Sequence, residues 1–271
     1  MSVLPLTDGI YMGENLLVPP MPPVPATSAP WIQFNSNGQI SATNLSELRN
    51  ASGVFSKSNT GAASLNISLP DATNINSAFS GNAALQELEL ISTSDALLSV
   101  IALATGSNKL KKVRVELPNL VGEFGNFNGC TSLESAVIIL PKCTSLSFYC
   151  LRYCLNLTEV QLIAPQIVTA PYLCINCTNL SQFSGEYPEL VSCISGFEAT
   201  NLQQFDVVWP KISDLAGCFR NTALQAEEIN KILQSLPSYS SGTHIITFTG
   251  SPGASSCDPT IGTAKGWTVQ V

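Results

Sequence analysis

The sequence predicts a repeat solenoid of the α/β class, in which each repeat adds one short strand to a single parallel β-sheet face. Three observations lead to this prediction. Prolines recur every 22 to 24 residues, or at twice that interval, a leucine keeps step with them, and apolar residues alternate after each leucine. The prolines are Pro70, Pro118, Pro141, Pro165, Pro188 and Pro210, and the leucines are Leu85, Leu110, Leu133, Leu157, Leu180, Leu202 and Leu224.

Each leucine precedes a predicted strand. Apolar residues occupy the third, fifth and seventh positions after it, as in Val113, Val115 and Leu117. A period of two is typical of a strand with one buried face, and the proline ends the strand because it has no N–H for the ladder. One repeat cannot bury its own apolar face, so we expect about seven or eight to stack around a shared core. The array is expected to begin near residue 44.

Periods in the low twenties with this leucine pattern are typical of leucine-rich repeats. A second motif, F-x-N/G-C-x-x-L, precedes the leucines in residues 127–133, 151–157 and 174–180, with variants in 79–85 and 219–224. Over roughly residues 44 to 224 the chain resembles the BspA-like leucine-rich repeats of bacterial surface proteins and some phage proteins. The ending, residues 246–271, looks like the closing segment of such chains. The resemblance implies a leucine-rich-repeat solenoid displayed on a cell surface or a virion.

The chain divides into three predicted regions. Residues 1–30 form an N-terminal arm and proline-rich linker, residues 31–224 the solenoid, and residues 225–271 a C-terminal cap. Within the arm, residues 17–30 contain six prolines and no charge, which favours a stiff, extended polyproline II path. This arm is either a leader with a linker or an element that docks onto a neighbouring subunit or larger assembly.

The predicted cap combines a helix with strands. Apolar residues recur at helical spacing in residues 224–237, and Pro237 ends the pattern. The apolar positions are Ile229, Ile232, Leu233 and Leu236. Two strand-like segments, residues 244–250 and 266–271, follow. Together they are expected to finish the sheet and cover the core.

Cysteines Cys130, Cys154 and Cys177 each precede a repeat leucine by three residues and therefore share one column of the stack. Buried cysteine packs as a small hydrophobe. Zinc-like spacing also occurs, at Cys174-x2-Cys177, but the repeat explains each cysteine without a metal, and we assign none. Because nine cysteines cannot all pair within one chain, we expect mostly free, buried thiols. In the other repeats the column holds Asn82, Ser107, Ala199 and Asn221.

Composition excludes several classes of function. A net charge of −7 and a pI near 4.7 argue against a nucleic-acid partner, and the basic cluster of residues 109–114 is interpreted as a solvated repeat edge. The apolar run of residues 97–104 is too short to span a bilayer, so membrane insertion is not expected. No targeting signal is recognisable. The expected location is extracellular, at a cell surface or on a virion.

No catalytic motif is recognisable, and the single histidine, His244, opens a predicted strand. The chain is therefore expected not to be an enzyme and to need no cofactor. The outer face of the predicted sheet carries the better signal, an apolar patch with a polar rim, which is typical of interaction surfaces. An alternative is that a loop, the arm or a different register covers this face. The candidate binding residues are Arg114, Val137, Ile139, Glu159, Gln161, Ile163, Gln182, Glu186 and Asp206.

Two functions remain open at this point. The first is a non-enzymatic binding or adhesion module that recognises a protein or a cell-surface glycan on the repeat sheet. The second is a structural or receptor-binding subunit of a phage tail or fibre, anchored through residues 1–30 as a homo-oligomer or within a larger assembly. A fibre tip that binds a receptor would combine both.

Overall fold

The computed structural model describes residues 10–12, 15–18, 39–42, 49–53, 55–56 and 64–271. The chain forms a parallel β-solenoid of about nine turns. The strands are β1 (Ile10–Met12), β2 (Asn15–Val18), β3 (Gln39–Ala42), β4 (Ser64–Ser68), β5 (Glu87–Ile91), β6 (Lys112–Glu116), β7 (Glu123–Phe124), β8 (Ser135–Ile139), β9 (Ser145–Leu146), β10 (Glu159–Ile163), β11 (Gln182–Glu186), β12 (Gln204–Val208), β13 (His244–Thr247) and β14 (Trp267–Gln270).

Helix is scarce in the turns. Across the ranges just given, it is confined to α1 (Ala226–Ser235) and α2 (Thr260–Thr263). Neither has the length and apolar character that crossing a lipid bilayer requires. The repeats are therefore built from strands and hydrogen-bonded turns, with less helix than the α/β class predicted from the sequence.

The front sheet consists of one strand from each turn: β3, β4, β5, β6, β8 and β10 in one continuous parallel sheet, followed by the parallel pair β11 and β12. Its register follows the sequence repeat, since Leu65 pairs with Leu88, Leu88 with Val113 and Val113 with Ala136. These side chains are buried, because alternate residues of a strand point to one face. The predicted strands and their inward columns are confirmed.

A second set of parallel pairings, the rear ladder, joins the turns away from the front sheet. It includes single bridges between Asn50 and Asn74 and between Val100 and Phe124 and the pairing of β7 and β9. Further single bridges join Ser145 and Thr169, Thr169 and Ser192, and Ser192 and Asp214. A bridge from Leu215 to Ile246 then connects the last turn to β13. Two separate ladders therefore run along the stack.

The cysteine column lies inside the solenoid and links successive turns. At this position a buried side chain donates a hydrogen bond to a backbone carbonyl of the preceding turn, which satisfies a group that would otherwise be desolvated without a partner. The bonds run from Asn82 Nδ2 to Phe55 O at 2.8 Å, Ser107 Oγ to Phe79 O at 2.6 Å, Cys130 Sγ to Ala104 O at 3.1 Å, Cys154 Sγ to Phe127 O at 3.3 Å and Cys177 Sγ to Leu151 O at 3.0 Å.

The assignment of Ala199 and Asn221 to this column is wrong. Thr200 and Thr222 are the buried residues of these turns, because one residue fewer separates the column from the repeat leucine there. Ala199 and Asn221 instead have φ angles of 57° and 56°. They occupy the left-handed turn position that Gly129 fills, with φ 76°.

Little of the N-terminal arm lies within the described residues. Strands β1 and β2 pair antiparallel, and Cα atoms of β1 come within 8 Å of β3, the first strand of the front sheet. The proline-rich residues 19–30 lie outside the described residues, and the predicted docking or linker role of the arm stays a prediction.

The C-terminal segment contains the predicted helix and strands. Ile229, Ile232 and Leu233 of α1 are buried, and α1 lies beside β12. The Glu228 carboxylate accepts a hydrogen bond from the backbone N–H of Phe205 at 3.0 Å. An acidic side chain of the helix thus pairs with the outer edge of the last front strand. Strand β13 pairs in parallel with β14.

Candidate functional site: a cleft in the front sheet

The front sheet is interrupted between β10 and β11. The two strands are not paired, although some of their Cα atoms lie within 8 Å of each other. Paired strands lie about 4.8 Å apart. Behind the interruption the same two turns stay joined, for example by hydrogen bonds from Ala170 N to Ser192 O at 3.0 Å and from Cys174 N to Gly196 O at 2.7 Å. The stack is therefore open on one side only.

Two residues of the β11 turn account for the opening. Gly185 stands where the neighbouring strands carry inward Leu162 or Val207, and Tyr187 follows two residues later. A Cβ atom on Gly185 would lie 2.6 Å from the Tyr187 hydroxyl oxygen and 2.8 Å from the ring. The tyrosine ring therefore occupies the space that the missing side chain leaves.

Tyr187 also replaces part of the missing ladder. Its hydroxyl donates a hydrogen bond to the carbonyl oxygen of Leu162 on β10, at 3.2 Å. Burial raises the pKa of the Tyr187 phenol well above its usual value, so the hydroxyl keeps its proton and remains a donor at neutral pH. A side chain thus satisfies a strand-edge carbonyl that has no backbone partner across the gap.

The resulting groove, called the cleft below, has a volume of about 940 Å³. This volume falls within the range of ligand pockets in proteins, roughly 300–1,000 Å³. Its walls are the outward side chains of β10 and β11, and the next strand, β12, contributes two more. The lining residues are Thr158, Glu159, Val160, Gln161, Leu162, Ile163, Ala164, Pro165, Gln182, Phe183, Ser184, Gly185, Glu186, Pro188, Gln204 and Asp206.

Most of the candidate binding residues from the sequence lie in the cleft. Six of the nine line it: Glu159, Gln161, Ile163, Gln182, Glu186 and Asp206.

The other three candidates lie outside the cleft on neighbouring strands. Ile139 on β8 pairs with Ile163, and Val137 pairs with Gln161, so both continue the same outer surface. Arg114, on β6, is farther away and contacts Glu89 and Glu116.

Sequence reasoning missed part of the cleft. Ser184, Gln204, Thr158 and the two strand-ending prolines, Pro165 and Pro188, also line it. The repeat columns contain a signal for the opening. Gly185 and Tyr187 stand at two inward positions where other strands carry aliphatic residues. A column with one missing side chain and one oversized neighbour predicts a local opening of the stack.

The two halves of the front sheet differ in charge. Acids on β5 and β6 have cationic partners: Glu87 lies 3.7 Å from Lys112, and Glu89 lies 3.6 Å from Arg114. In contrast, none of the three carboxylates of the cleft forms an ion pair within the part of the chain that the structure describes. These carboxylates belong to Glu159, Glu186 and Asp206. The cleft is therefore an anionic surface whose carboxylates are not paired with cationic side chains of the described residues.

The cysteines do not form a site on the surface. All nine are unpaired and eight are buried, as the sequence predicts. Burial raises the pKa of the Cys130 thiol to about 12, so it stays protonated at neutral pH. Over residues 64–271 and the shorter described stretches before them, no group of three or more histidine, cysteine or acidic side chains is arranged to hold a metal ion. We interpret the thiols as core residues.

An exposed aromatic cluster has a structural explanation. Tyr149 and Tyr172 have φ angles of 69° and 54°, in the left-handed region that Ser77 and Ala102 occupy in earlier turns of the stack. Such backbone strain costs on the order of 1–3 kcal/mol per residue. The two rings lie 5.0 Å apart, and the guanidinium of Arg152 lies 4.4 Å from Tyr149. Stacking and cation–π contacts offset this strain.

Comparison of the chain with protein-family models, with curated proteins and with solved structures gave no match.

Proposed function

We propose that this protein is a non-enzymatic binding module that engages a protein or cell-surface ligand in the cleft. The observation that carries the proposal is the opening of an otherwise regular sheet at one position, where unpaired strand edges and outward polar side chains meet. A solenoid needs no such interruption for its stability. The interruption instead gives a groove of ligand-binding size.

The chemistry of the lining supports binding rather than catalysis. Its side chains are carboxylates, amides, hydroxyls, aliphatic groups and one phenyl ring. None of the lining residues is a histidine, the most frequent acid–base group in catalysis and the usual activator of a serine nucleophile. Glu159, Glu186 and Asp206 are solvent-exposed, whereas the general-acid carboxylates of enzymes are typically held in apolar surroundings.

We further propose that the solenoid is a leucine-rich repeat of the BspA-like type and that residues 225–271 close its C-terminal end. The motif spacing supports the first point. The pairing of Glu228 with the outer edge of β12 supports the second, since an uncovered strand edge invites association with other strands. Display on a cell surface or a virion follows from the resemblance.

A role as an assembly subunit is the second candidate, and the proline-rich residues 17–30 favour it. Light scattering on the full chain and on a chain lacking residues 1–30 tests it. A full chain that is a trimer or larger, with a monomeric shortened chain, supports an assembly element. Two monomers contradict this role and leave the cleft as the functional feature.

The binding proposal is tested by filling the cleft. Ser184→Trp places a large side chain on the exposed face of β11, at the centre of the cleft. Asn66→Trp is the control, because it places the same side chain at the register-equivalent position of β4, away from the cleft. Both variants and the unmodified chain are applied to arrays of glycans and of synthetic peptides. We expect probes that bind the unmodified chain and Asn66→Trp but not Ser184→Trp. If every probe binds all three proteins equally, the cleft is not the binding site.

A further inference from the structure

We propose that the cleft takes an extended peptide segment with lysine or arginine at alternate positions. This inference rests on the proposed binding function and names its ligand class. It draws on the charge of the cleft, the spacing of its carboxylates and the backbone groups at its floor. Each is independent of the resemblance to any family.

The charge of the cleft selects a cationic ligand. Glu159, Glu186 and Asp206 present three carboxylates on one groove with no cationic partner in the described residues. Bringing a neutral ligand over them would desolvate the carboxylates without compensation, whereas basic side chains would pair with them. A partner of opposite charge is therefore favoured over a neutral glycan.

The spacing of the carboxylates selects an extended segment. Glu159 is the first residue of β10 and Glu186 the last of β11, while Asp206 is the central residue of β12. These are the first, third and fifth positions of five-residue strands. At about 3.3 Å per residue, they fall roughly 7 Å apart along the strand direction. The three acids also stand side by side across the groove, on three different strands. An extended peptide presents residues i, i+2 and i+4 with the same spacing along its length, and flexible lysine or arginine side chains reach sideways from it to the carboxylates.

The chain itself contains a segment of this kind. Strand β6 begins Lys-Val-Arg, and its Lys112 and Arg114 lie beside Glu87 and Glu89 of β5 at 3.7 and 3.6 Å. Basic residues at alternate positions of one extended segment thus pair with acids at alternate positions of its neighbour. The cleft acids differ from those of β5 in standing on three strands, so the ligand would pair with them from above the groove and not as a strand of the sheet.

Backbone groups at the floor of the cleft add a further contact. Hydrogen bonds from Glu159 N to Glu134 O at 3.3 Å and from Leu140 N to Ile163 O at 2.8 Å show that these residues of β10 face β8. By the alternation of a parallel ladder, the backbone groups of Val160 and Leu162 face the gap instead. The Leu162 carbonyl accepts from the Tyr187 hydroxyl, which leaves the Val160 N–H and carbonyl and the Leu162 N–H for a ligand. They can bond to a peptide backbone directly or through bridging water.

The gap itself sets how the peptide lies. With Cα atoms of β10 and β11 within 8 Å, the gap is narrower than the roughly 9.6 Å that an inserted strand would need. The peptide therefore lies along the mouth of the cleft, parallel to the strands.

The test uses fluorescence anisotropy with a labelled peptide of about seven residues that alternates lysine and threonine, long enough to span a five-residue strand. A peptide of the same composition with its lysines contiguous is the control for spacing. The protein variant Glu159→Gln/Glu186→Gln removes two cleft charges without changing side-chain size. The matched control, Glu87→Gln/Glu116→Gln, removes two charges from the other half of the sheet.

We expect the alternating peptide to bind the unmodified chain and to lose about fivefold in affinity for each cleft carboxylate removed, while the matched control changes affinity less than about twofold. The contiguous peptide should bind at least about threefold more weakly than the alternating one, because its charges cannot all reach the carboxylates in an extended form. Equal binding of the two peptides, or equal losses in the two protein variants, would overturn the inference.

The two proposals fail in different ways. If a neutral glycan or uncharged peptide binds, is excluded by Ser184→Trp, and the alternating lysine peptide does not bind, the binding function stands and the cationic ligand is wrong. If Ser184→Trp leaves the binding of every probe unchanged, both proposals are wrong. Thermal melting of each variant confirms that it is folded.

Discussion

The front sheet is continuous from β4 to β10 and open between β10 and β11, although the same repeat builds both regions. In the continuous region the inward positions hold Leu90, Val115 and Ile138, and adjacent strands pair along their full length. In the open region Gly185 and Tyr187 replace two aliphatic residues. Because each turn contacts only its neighbours, a change in one turn opens the sheet at one place and leaves the rest of the stack intact.

The outer edge of β12 and the strand edges at the cleft differ in how their backbone groups are satisfied. At the outer edge of β12, the Glu228 carboxylate accepts the backbone N–H of Phe205. At the cleft, the Tyr187 hydroxyl satisfies the carbonyl of Leu162, and the other groups facing the gap have no strand partner. An edge that is covered protects the fold, whereas an edge left open inside a groove is available to a ligand.

The largest effect is expected from changing Gly185. Gly185→Val should destabilise the fold by about 1–3 kcal/mol, because the new side chain overlaps the Tyr187 ring. Adding Tyr187→Leu restores the aliphatic pattern of the continuous region and should recover most of that stability while closing the cleft. Urea denaturation of both single variants and the double variant measures the coupling between the two sites.

The outcome that contradicts this explanation is additivity. If the Gly185→Val and Tyr187→Leu effects simply sum, the ring does not compete with a side chain at position 185, and the opening has another cause. Retained binding of a cleft ligand by the double variant would likewise contradict closure.

The covered edge is tested at α1, with an intermediate effect. Glu228→Ala removes the acceptor for the Phe205 N–H and should cost about 1.5–3 kcal/mol, the range for hydrogen bonds to charged groups. Glu227→Ala is the matched control, since its side chain is 85% exposed and contacts only Lys231; it should cost less than about 1 kcal/mol. Chemical denaturation of the Glu228→Ala and Glu227→Ala variants gives the two free energies of unfolding to be compared. Equal losses would mean that helix electrostatics, rather than the strand edge, sets the effect.

The smallest effect concerns amide exchange in the native protein. The backbone N–H of Ser184 faces the gap, whereas that of Val137, at the equivalent position of β8, faces paired β6. We expect the Ser184 amide to exchange with solvent at least about tenfold faster. Hydrogen exchange followed by NMR gives both rates. Comparable protection would show that β10 and β11 pair in solution.

Much of the fold was predictable because the repeat is periodic. The alternation in residues such as Val113 and Val115 and the recurring prolines predicted the strands, their register and the outward positions. The column of small buried residues was predicted correctly at Cys130 but not at Ala199, because the leucine spacing shortens to 22 residues there and the missing residue lies between the column and the leucine. The position of the leucine alone does not show where in the turn the residue is missing.

Strand alternation and a fixed repeat leave little freedom, so the amino-acid pattern is enough to predict which side chains face the core and which face solvent. The grouping of Glu159, Glu186 and Asp206 in one groove is visible only in the folded stack, because it depends on whether two neighbouring turns pair. That outcome follows from the fit of Gly185 and Tyr187 against Leu162. The fit depends on side-chain volumes in two turns whose residues lie some 25 positions apart in the sequence. The alternation of residues along one strand does not report these volumes.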